Sequence, residues 1–343
     1  MAKNCEINFR STVIEQTLLA EGDRVIIAVS GGVDSMVLLD LLARLRNSMK
    51  IDLSVAHVNY GLRGAESDRD EDLVRERSER YGIPCYVLHA RLSNADNLQN
   101  EARRARYDFL KECAKERNVN VVAMAHHRDD QAETILMHLM RGAGLQGLCG
   151  MPFANELAQG LRLIRPLLHI GRDRIAAYAA ERRVRFAEDA TNAETRYSRN
   201  AVRHTLLPAM EEFNPQIRDH LSNMAGRLRE DEGALMGLAT SFCSEHMTVP
   251  EGSDLRVTGH GSRVTREVDL PRTAFIQLQP AVRRRVLMTA YEKLTGSRVG
   301  LNSDQLRRMD EIAQSAANEG EYLLPGAYRY ERNYNRLRML PPA

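Results

Sequence analysis

Tryptophan is absent from the 343 residues, and cysteine and lysine are scarce. The five cysteines, Cys5, Cys85, Cys113, Cys149 and Cys243, are far apart and include no C-x-x-C pair. An odd, scattered set argues against a disulfide framework and against a structural zinc or iron–sulfur site. Long apolar runs are also missing. In the first 60 residues the longest is Val25 to Val29, whereas a membrane span needs about 20. Residues 1–10 hold no apolar signal-peptide core, so the expectation is a cytoplasmic protein with no membrane partner. Nor is there an excess of charge: the formal net charge is +2. What remains is an ordinary globular composition, 43% hydrophobic and 27% charged. The length predicts two or three domains. Only five of the 48 basic residues are lysine. Arginine's planar fork suits phosphate, but a genome-wide codon bias gives the same count, so only local clusters carry weight.

Periodicity supplies the fold class. Arg24 to Ser30 reads as a buried strand ended by two glycines, and Asp34 to Leu45 as a helix apolar nearly all round. Strands are predicted at Ile51–Val58, Ile83–Leu88, Val119–Ala125 and Leu161–Ile164. Helices are predicted at Ala65–Tyr81, Asn97–Arg117 and Asp129–Met140. This alternation means βαβ units and a doubly wound parallel α/β sheet. The pattern changes near Pro208 and Pro215. Gln216 to Glu245 reads as helix, and a smaller mixed region follows. The expected division is 1–210, a helical linker at 211–250, and a small α+β domain at 251–343.

Four local motifs bear on chemistry. Ser30-Gly31-Gly32-Val33-Asp34-Ser35 lies between a strand and a helix. Glycines let a ligand approach the backbone, and the helix end offers free N–H groups and a positive dipole. Such a cradle fits phosphate. It is neither a Walker A loop nor G-x-G-x-x-G. Asp34 is odd in a plain anion site, but a carboxylate there suits Mg²⁺. At the end of the second strand stands His57-Val58-Asn59-Tyr60-Gly61-Leu62-Arg63-Gly64, a turn open to either a structural or a ligand-side reading. Arg103, Arg106 and Tyr107 share one helix face, able to hold phosphates or to be merely solvated. His126-His127-Arg128-Asp129-Asp130-Gln131-Ala132-Glu133-Thr134 opens a helix. Asp129 and Asp130 could cap it. Asp130 and Glu133 could instead bind Mg²⁺ or hold and deprotonate an amine.

Two further segments are suggestive. Residues 141–151 hold four glycines in nine positions, a flexible loop or a close-approach surface. Arg196, Arg199, Arg203 and His204 form the one clear local basic cluster, with no acidic residue from Thr195 to Pro208. It suits RNA phosphates, or is a surface helix start.

The first hexapeptide resembles the pyrophosphate loop of N-type ATP pyrophosphatases, the PP-loop family. The ordered set of segments over residues 20 to 210 resembles the tRNA(Ile)-lysidine synthases within it. The carrying strings are His57-Val-Asn-Tyr-Gly-Leu-Arg63, Ala102-Arg-Arg-Ala-Arg-Tyr107, His126-His-Arg-Asp-Asp-Gln-Ala-Glu-Thr134 and Arg199-Asn200-Ala-Val-Arg203.

The resemblance implies ATP and Mg²⁺ as cofactors, and a CAU-anticodon isoleucine tRNA and free L-lysine as partners. It leaves a homodimer open. It implies that the wobble cytidine's C2 oxygen attacks the α-phosphate of ATP and pyrophosphate leaves. The lysine ε-amine then attacks C2 and AMP leaves, giving lysidine. On this reading Ser30, Gly31, Gly32, Val33, Asp34, Ser35 and His57 bind ATP, and Asp34 and Asp130 hold Mg²⁺. Arg103 neutralises the α-phosphate, and Glu133 handles the lysine amine. Arg106, Arg196, Arg199, Asn200 and Arg203 contact tRNA. The rival within the fold is another adenylating enzyme, a tRNA thiolase or a small-metabolite synthetase. Beyond residue 210 the match is loose. Arg283 to Arg285, Arg307, Arg308 and Tyr322, Tyr328, Tyr330 and Tyr334 could form an RNA surface or the interior of a small domain.

Overall fold

The structure is a computed structural model that describes residues 2–62, 64–90, 98–187, 198–249, 256–257, 263–264, 267–296 and 300–342. The chain divides into two compact units, Met1–Leu228 and Arg229–Ala343.

The first unit begins with helix α1 (Ala2–Glu15), then β1 (Arg24–Ala28), α2 (Val33–Met49), β2 (Asp52–Asn59), α3 (Ala65–Arg80) and β3 (Cys85–His89). It continues with α4 (Leu98–Arg117), β4 (Val121–Ala123), α5 (Arg128–Met140), α6 (Leu145–Leu148), β5 (Ala154–Ala158), β6 (Leu161–Ile164) and α7 (Arg172–Arg182). A short α8 (Ser198–Ala201) runs through a π-helical turn at Val202–Leu206 into α9 (Leu207–Phe213). Helix α10 (Ile217–His246) starts in this unit and ends in the second.

The sheet order is β3-β2-β1-β4-β6-β5. All neighbours are parallel except β5, which runs antiparallel to β6 at the edge. The expected parallel sheet is present, and β5, which carries no expectation above, adds one antiparallel edge strand. A two-residue turn, Gln159 and Gly160, returns the chain directly, and a hairpin can only be antiparallel. Chain order reverses between β1 and β4. In open α/β sheets this reversal leaves a crevice at the carboxyl ends of the strands, where ligands bind. The hexapeptide follows β1 and the paired histidines follow β4, so both open into that crevice.

Helix α2 is buried all round, as its composition predicts: Met36, Val37, Leu38, Leu39, Leu41 and Leu42 are fully buried. Each such side chain is worth about 1.5–3 kcal/mol. Helices α1 and α7 carry no expectation above, yet both bury stripes at helical spacing: Cys5, Phe9 and Val13, and Ile175, Tyr178 and Ala179.

A charge sits inside this helical layer. Asp40 is fully buried on α2. It accepts hydrogen bonds from Tyr178 Oη (2.6 Å), Arg44 Nε (2.7 Å), Arg77 Nη2 (3.1 Å) and Tyr81 Oη. The carboxylate ties α2, α3 and α7 together. Burial alone would raise its pKa, but the tyrosine hydroxyls and Arg44 outweigh burial and hold it below the ordinary carboxylate value.

The second unit holds a two-residue pair, β7 (Arg256–Val257) and β8 (Arg263–Val264), then β9 (Val268–Pro271), α11 (Arg272–Phe275), α12 (Pro280–Thr295) and α13 (Ser303–Gln314). Strands β10 (Glu319–Leu323), β11 (Arg329–Asn333) and β12 (Arg336–Leu340) complete an antiparallel sheet of order β10-β11-β12-β9. Its arginines and tyrosines take several environments. Arg283 is buried against Asp310 (2.6 and 3.0 Å), and Arg285 is buried against Glu232. Tyr330 is fully buried. Arg307 and Arg308 form exposed pairs with Asp304 and Glu311. Arg284 and Tyr334 are likewise exposed. No helix among the described residues is long and apolar enough to cross a membrane.

Breaking the Asp40 cluster has an expected cost. Asp40→Asn leaves two arginines without their buried partner, and should lower unfolding free energy by about 3–5 kcal/mol at neutral pH. A carboxylate with a depressed folded pKa stabilises above the unfolded value near 3.9 and loses that contribution as pH falls. Urea titrations from pH 6 to pH 3 should therefore show a smaller loss of stability with acid in Asp40→Asn than in the parent.

Candidate functional site

The hexapeptide forms a preset cradle. Ser30 N–H donates to Ser35 Oγ (3.1 Å), and Ser35 Oγ donates to the Gly32 carbonyl (2.9 Å). Ser30 Oγ lies 3.2 Å from Ser35 Oγ, and Gly32 N–H donates to Ser30 Oγ (3.4 Å). Both hydroxyls are thus spent on shaping the loop, which leaves ligand binding to backbone amides. Helix α2 begins at Val33, and its first-turn amides have no intrahelical partner. Gly31 has φ +95°, so a side chain there would meet backbone strain, while its Cβ would sit at ordinary contact distance from Asp70 on α3 (3.5 Å).

Beside the loop is a cleft of about 220 Å³. Ala28, Ala56, Val58, Leu110 and Met124 make its apolar part; Ser30, Gly32, Asp34, Arg106 and His126 make its polar rim. A flat base with a charged tail fits this division. His57 is on the other face of β2, because side chains alternate along a strand. Its Nδ1–H donates to the Val29 carbonyl (2.8 Å), holding the root of the loop rather than lining the apolar cleft. Burial lowers its pKa, so the ring is neutral.

The carboxylates gather across from the loop. His127, not an aspartate, caps α5: Asp130 N–H donates to His127 Nδ1 (3.4 Å), and His127 N–H donates to Asp130 Oδ2 (3.1 Å). The capping alternative thus holds for Asp130, as the reciprocal member of a capping box with His127, and not for Asp129. His127 Nε2 lies 3.6 Å from Asp34 Oδ2 and 3.4 Å from Asp130 Oδ2, so one imidazole bridges the two. Glu133 is fully buried. Arg199 Nε donates to it at 2.8 Å and Arg203 Nε at 2.5 Å. Arg203 Nη2 also reaches Asp130 Oδ1 at 3.1 Å.

Asp129 points elsewhere. It accepts from the Arg172 amide (2.9 Å) and from Arg218 Nη1 (2.8 Å). It therefore joins α5 to the starts of α7 and α10. A charged cavity of about 460 Å³ opens there, lined in part by His127, Glu133, Arg172, Arg203, Glu211 and Arg218.

The electrostatics follow from burial and company. Burial raises the pKa of Asp34, against the pull of His127 and Arg172. Burial alone would raise Asp130, but His127, His126 and Arg199 outweigh it and hold it low. Burial alone would lower His127, but Asp129, Asp130 and Asp34 outweigh it and raise it. Burial, with Arg165, Arg106 and Arg199 nearby, pushes His126 down to about 4. Two adjacent histidines are thus driven in opposite directions.

The predicted residues distribute as follows. Asp34, Asp130, Glu133, Arg199 and Arg203 converge. Arg106 lines the cleft, whereas Arg103 is exposed and packs over Tyr107 with its guanidinium 5.1 Å from the ring centre. Asn200 is half-buried on α8. Arg63 and Arg196 lie outside the described residues. The glycine-rich segment is no loose loop. Gln131 grips Met151 through both backbone groups (2.7 and 3.1 Å), and His138 Nδ1–H donates to Gly147 O (2.7 Å). Gly150, at φ +62°, leaves room for the Gln131 amide, which a Cβ would meet at 2.7 Å. Sequence reading did not single out His127 as the bridging group, nor Arg172 and Arg218. The His-His doublet was a visible signal for the first. Arg165 opens an Arg-Pro-Leu-Leu string that resembles the family's but carried no role, and Arg172 and Arg218 stand outside any local motif, so only folding brings them in.

No set of three His, Cys, Asp or Glu side chains among the described residues could cage a metal alone. Yet Asp34 Oδ1 is buried with no hydrogen-bond partner. Mg²⁺ commonly uses one or two carboxylates plus substrate phosphates. Asp34 and Asp130 fit that mode.

A phosphate cradle at the switch point of a parallel sheet, facing paired carboxylates, defines a PP-loop nucleotide-binding domain. Residues 1–210 match the family model described as a PP-loop domain. The chain is 35% identical to a tRNA(Ile)-lysidine synthase of Geobacter sulfurreducens, over 94% of this chain and 66% of that protein. It is 34% identical to the Solibacter usitatus tRNA(Ile)-lysidine synthase, over 95% and 69%. It is 40% identical to that of Chlorobaculum tepidum, over 66% and 69%. The chain belongs to the tRNA(Ile)-lysidine synthase family, ligases that form a carbon–nitrogen bond. It spans about two thirds of the length of these relatives. Among solved structures, a U34-tRNA thiolase, NcsA from Methanococcus maripaludis with its [4Fe-4S] cluster, shares the fold. Its TM-score is 0.57 at 21% identity, covering 66% of this chain and 78% of that one.

Gly31→Ala tests the cradle. Positive φ for a residue with a side chain costs about 1–2 kcal/mol. Affinity for a non-hydrolysable ATP analogue, by equilibrium dialysis, should fall about tenfold with far-UV circular dichroism unchanged. Unaltered affinity would remove the loop from nucleotide binding.

Proposed function

We propose that this chain ligates free L-lysine to C2 of the wobble cytidine in a CAU-anticodon isoleucine tRNA, using ATP and Mg²⁺. Family membership supports the reaction. The observation that carries its placement here is the wall shared by the two cavities: Asp34 lines the apolar cleft, His127 lines the charged one, and the two touch.

In this reading adenosine occupies the apolar cleft. Its phosphates lie along the amide ends of α2 and α5, whose dipoles favour negative charge. Asp34, with its unpartnered oxygen, and Asp130 would hold Mg²⁺, which supplies charge neutralisation on the phosphates when bound. The amides of the loop stabilise the departing pyrophosphate, as preorganised dipoles do best. The cytidine C2 oxygen reaches the α-phosphate from the side away from the loop.

Lysine enters through the charged cavity. Its carboxylate suits Arg172 and Arg218, and its side-chain ammonium suits Asp130 and Glu133. Glu133 already binds two guanidiniums, so the incoming ammonium must displace one of them. Glu133 then works as an ion-pair exchanger that strips the amine of water. Glu133, with one guanidinium displaced, is also the group placed to take the amine's proton. Arg199 and Arg203 serve first as counter-ions, and only when displaced are they available to RNA phosphate.

Release of AMP and pyrophosphate from ATP should require the tRNA, and labelled lysine should enter RNA. Glu133→Gln should raise KM for lysine at least tenfold while leaving tRNA-dependent pyrophosphate release within about threefold. Turnover without tRNA would instead support a small-metabolite synthetase. Unchanged lysine KM would remove Glu133 from the amine site.

A further inference from the structure

The glycine pair of the pyrophosphate loop poses a problem that the loop's own hydrogen bonds do not solve. A peptide plane between two glycines rotates easily, because neither flank carries a Cβ to resist it. In a trans peptide the C=O of one residue and the N–H of the next point in opposite directions. The Gly31–Gly32 plane can therefore offer a phosphate either the Gly32 N–H, which attracts it, or the Gly31 carbonyl, which repels it. Within the loop, Gly32 N–H has a 3.4 Å contact to Ser30 Oγ, longer than an ordinary N–H···O bond and a weak restraint on the plane.

A firmer restraint arrives from the segment after α7. Arg183 ends that helix at φ +52°. Val184 is buried in the main core, and its N–H donates to the Ala179 carbonyl (2.8 Å). The chain then meets α3, where Arg185 Nη1 donates to both carboxylate oxygens of Glu76 (2.8 and 3.0 Å). Just beyond, Ala187 N–H donates to the Gly31 carbonyl (3.0 Å). The Val29 carbonyl is held in the same way by His57 Nδ1–H (2.8 Å). Ala187 and His57 both border a cavity of about 260 Å³ beside the loop, together with Ser67 and Asp70 of α3. Alternate loop carbonyls are thus tied down, and the amides that follow them, Ser30 and Gly32, point the opposite way. Ser30 N–H is spent on Ser35 Oγ, so of these two amides Gly32 N–H is the one left for a ligand.

We propose that the Ala187 N–H is a positioning group for the pyrophosphate loop. It locks the Gly31–Gly32 peptide with its N–H toward the phosphates, and Val184–Ala187 is the strut that delivers it. This rests on the reading of the loop as a nucleotide cradle. Without the strut the plane is free to turn its carbonyl toward the triphosphate. The effect is confined to the phosphates, because the apolar wall of the adenosine cleft is built by other residues, Ala28, Ala56, Leu110 and Met124 among them.

Phosphate affinity set against affinity for the nucleoside end separates aim from general damage. The full chain should be titrated with a non-hydrolysable ATP analogue, with inorganic pyrophosphate and with AMP. Ala187→Pro deletes the N–H but also fixes φ. Replacement of Ala187 by L-lactate deletes the same N–H and keeps the methyl side chain and the backbone shape. A hydrogen bond to a charged group is worth about tenfold or more in affinity, so each replacement should weaken the ATP analogue and pyrophosphate about tenfold, with AMP changed by less than about twofold. Unchanged affinity for the ATP analogue in the lactate form overturns the proposal. So does an equal loss for AMP, which would make the segment a general support of the cleft. If the parent chain binds the ATP analogue no more tightly than AMP, and binds no pyrophosphate, the loop is not a phosphate cradle, and the reading beneath the proposal fails with it.

Discussion

Three carboxylates at the mouth of one sheet cannot be held close together unless something cancels their charge. Asp34, Asp130 and Glu133 come from the starts of two helices, and much of the site's architecture can be understood as supplying their counter-charge. His127 bridges the first two, and Arg203 bridges the last two, with Arg199 beside it. Breaking a buried ion pair costs far more than an exposed one, because the remaining charge stays desolvated. This makes the α8–α9 segment an integral wall of the site.

The sheet topology explains why these groups meet. Reversal of chain order between β1 and β4 places two loop-to-helix junctions side by side. One carries the phosphate cradle, and the other carries the histidine-capped start of α5. Both helices point their positive dipole ends into the same crevice, although Arg128 N–H and Asp130 N–H of α5 are already met by the Ile170 carbonyl and His127 Nδ1. Asp129 then anchors the rear of this arrangement on Arg172 and Arg218. Adjacent aspartates on one helix turn thereby receive different tasks. Asp130 joins the carboxylate cluster with Asp34 and Glu133, and Asp129 ties α5 to α7 and α10.

Arginine abundance acquires meaning only through partners. In the second unit, Arg283 and Arg285 close internal ion pairs, and Arg332 donates to the Ser315 carbonyl at the end of α13 (2.6 Å). Around Tyr107 the same side chain packs on a ring instead. Counting basic residues cannot distinguish these two uses, because the distinction is one of neighbours.

Much of the catalytic unit was legible in the sequence. The β-branched run before Gly31, the apolar helix after it and the four βα repeats are short-range patterns, and each is set by periods of two or 3.6 residues. The hexapeptide and the Asp130–Glu133 spacing are equally local, so the cradle and the carboxylates could be named in advance. Other features were not local. Edge strand β5 runs antiparallel because of how its hairpin pairs, and α1 and α7 are defined by the surface they cover. Arg199, Arg203, Arg218 and Arg165 reach the site from 30 to 90 residues away. Their roles depend on which charge each one meets. Sequence by itself determined the four βα repeats and the chemistry of the loop. The tertiary structure decided which charges pair, because pairing depends on distance and burial, and neither is a property of a residue alone.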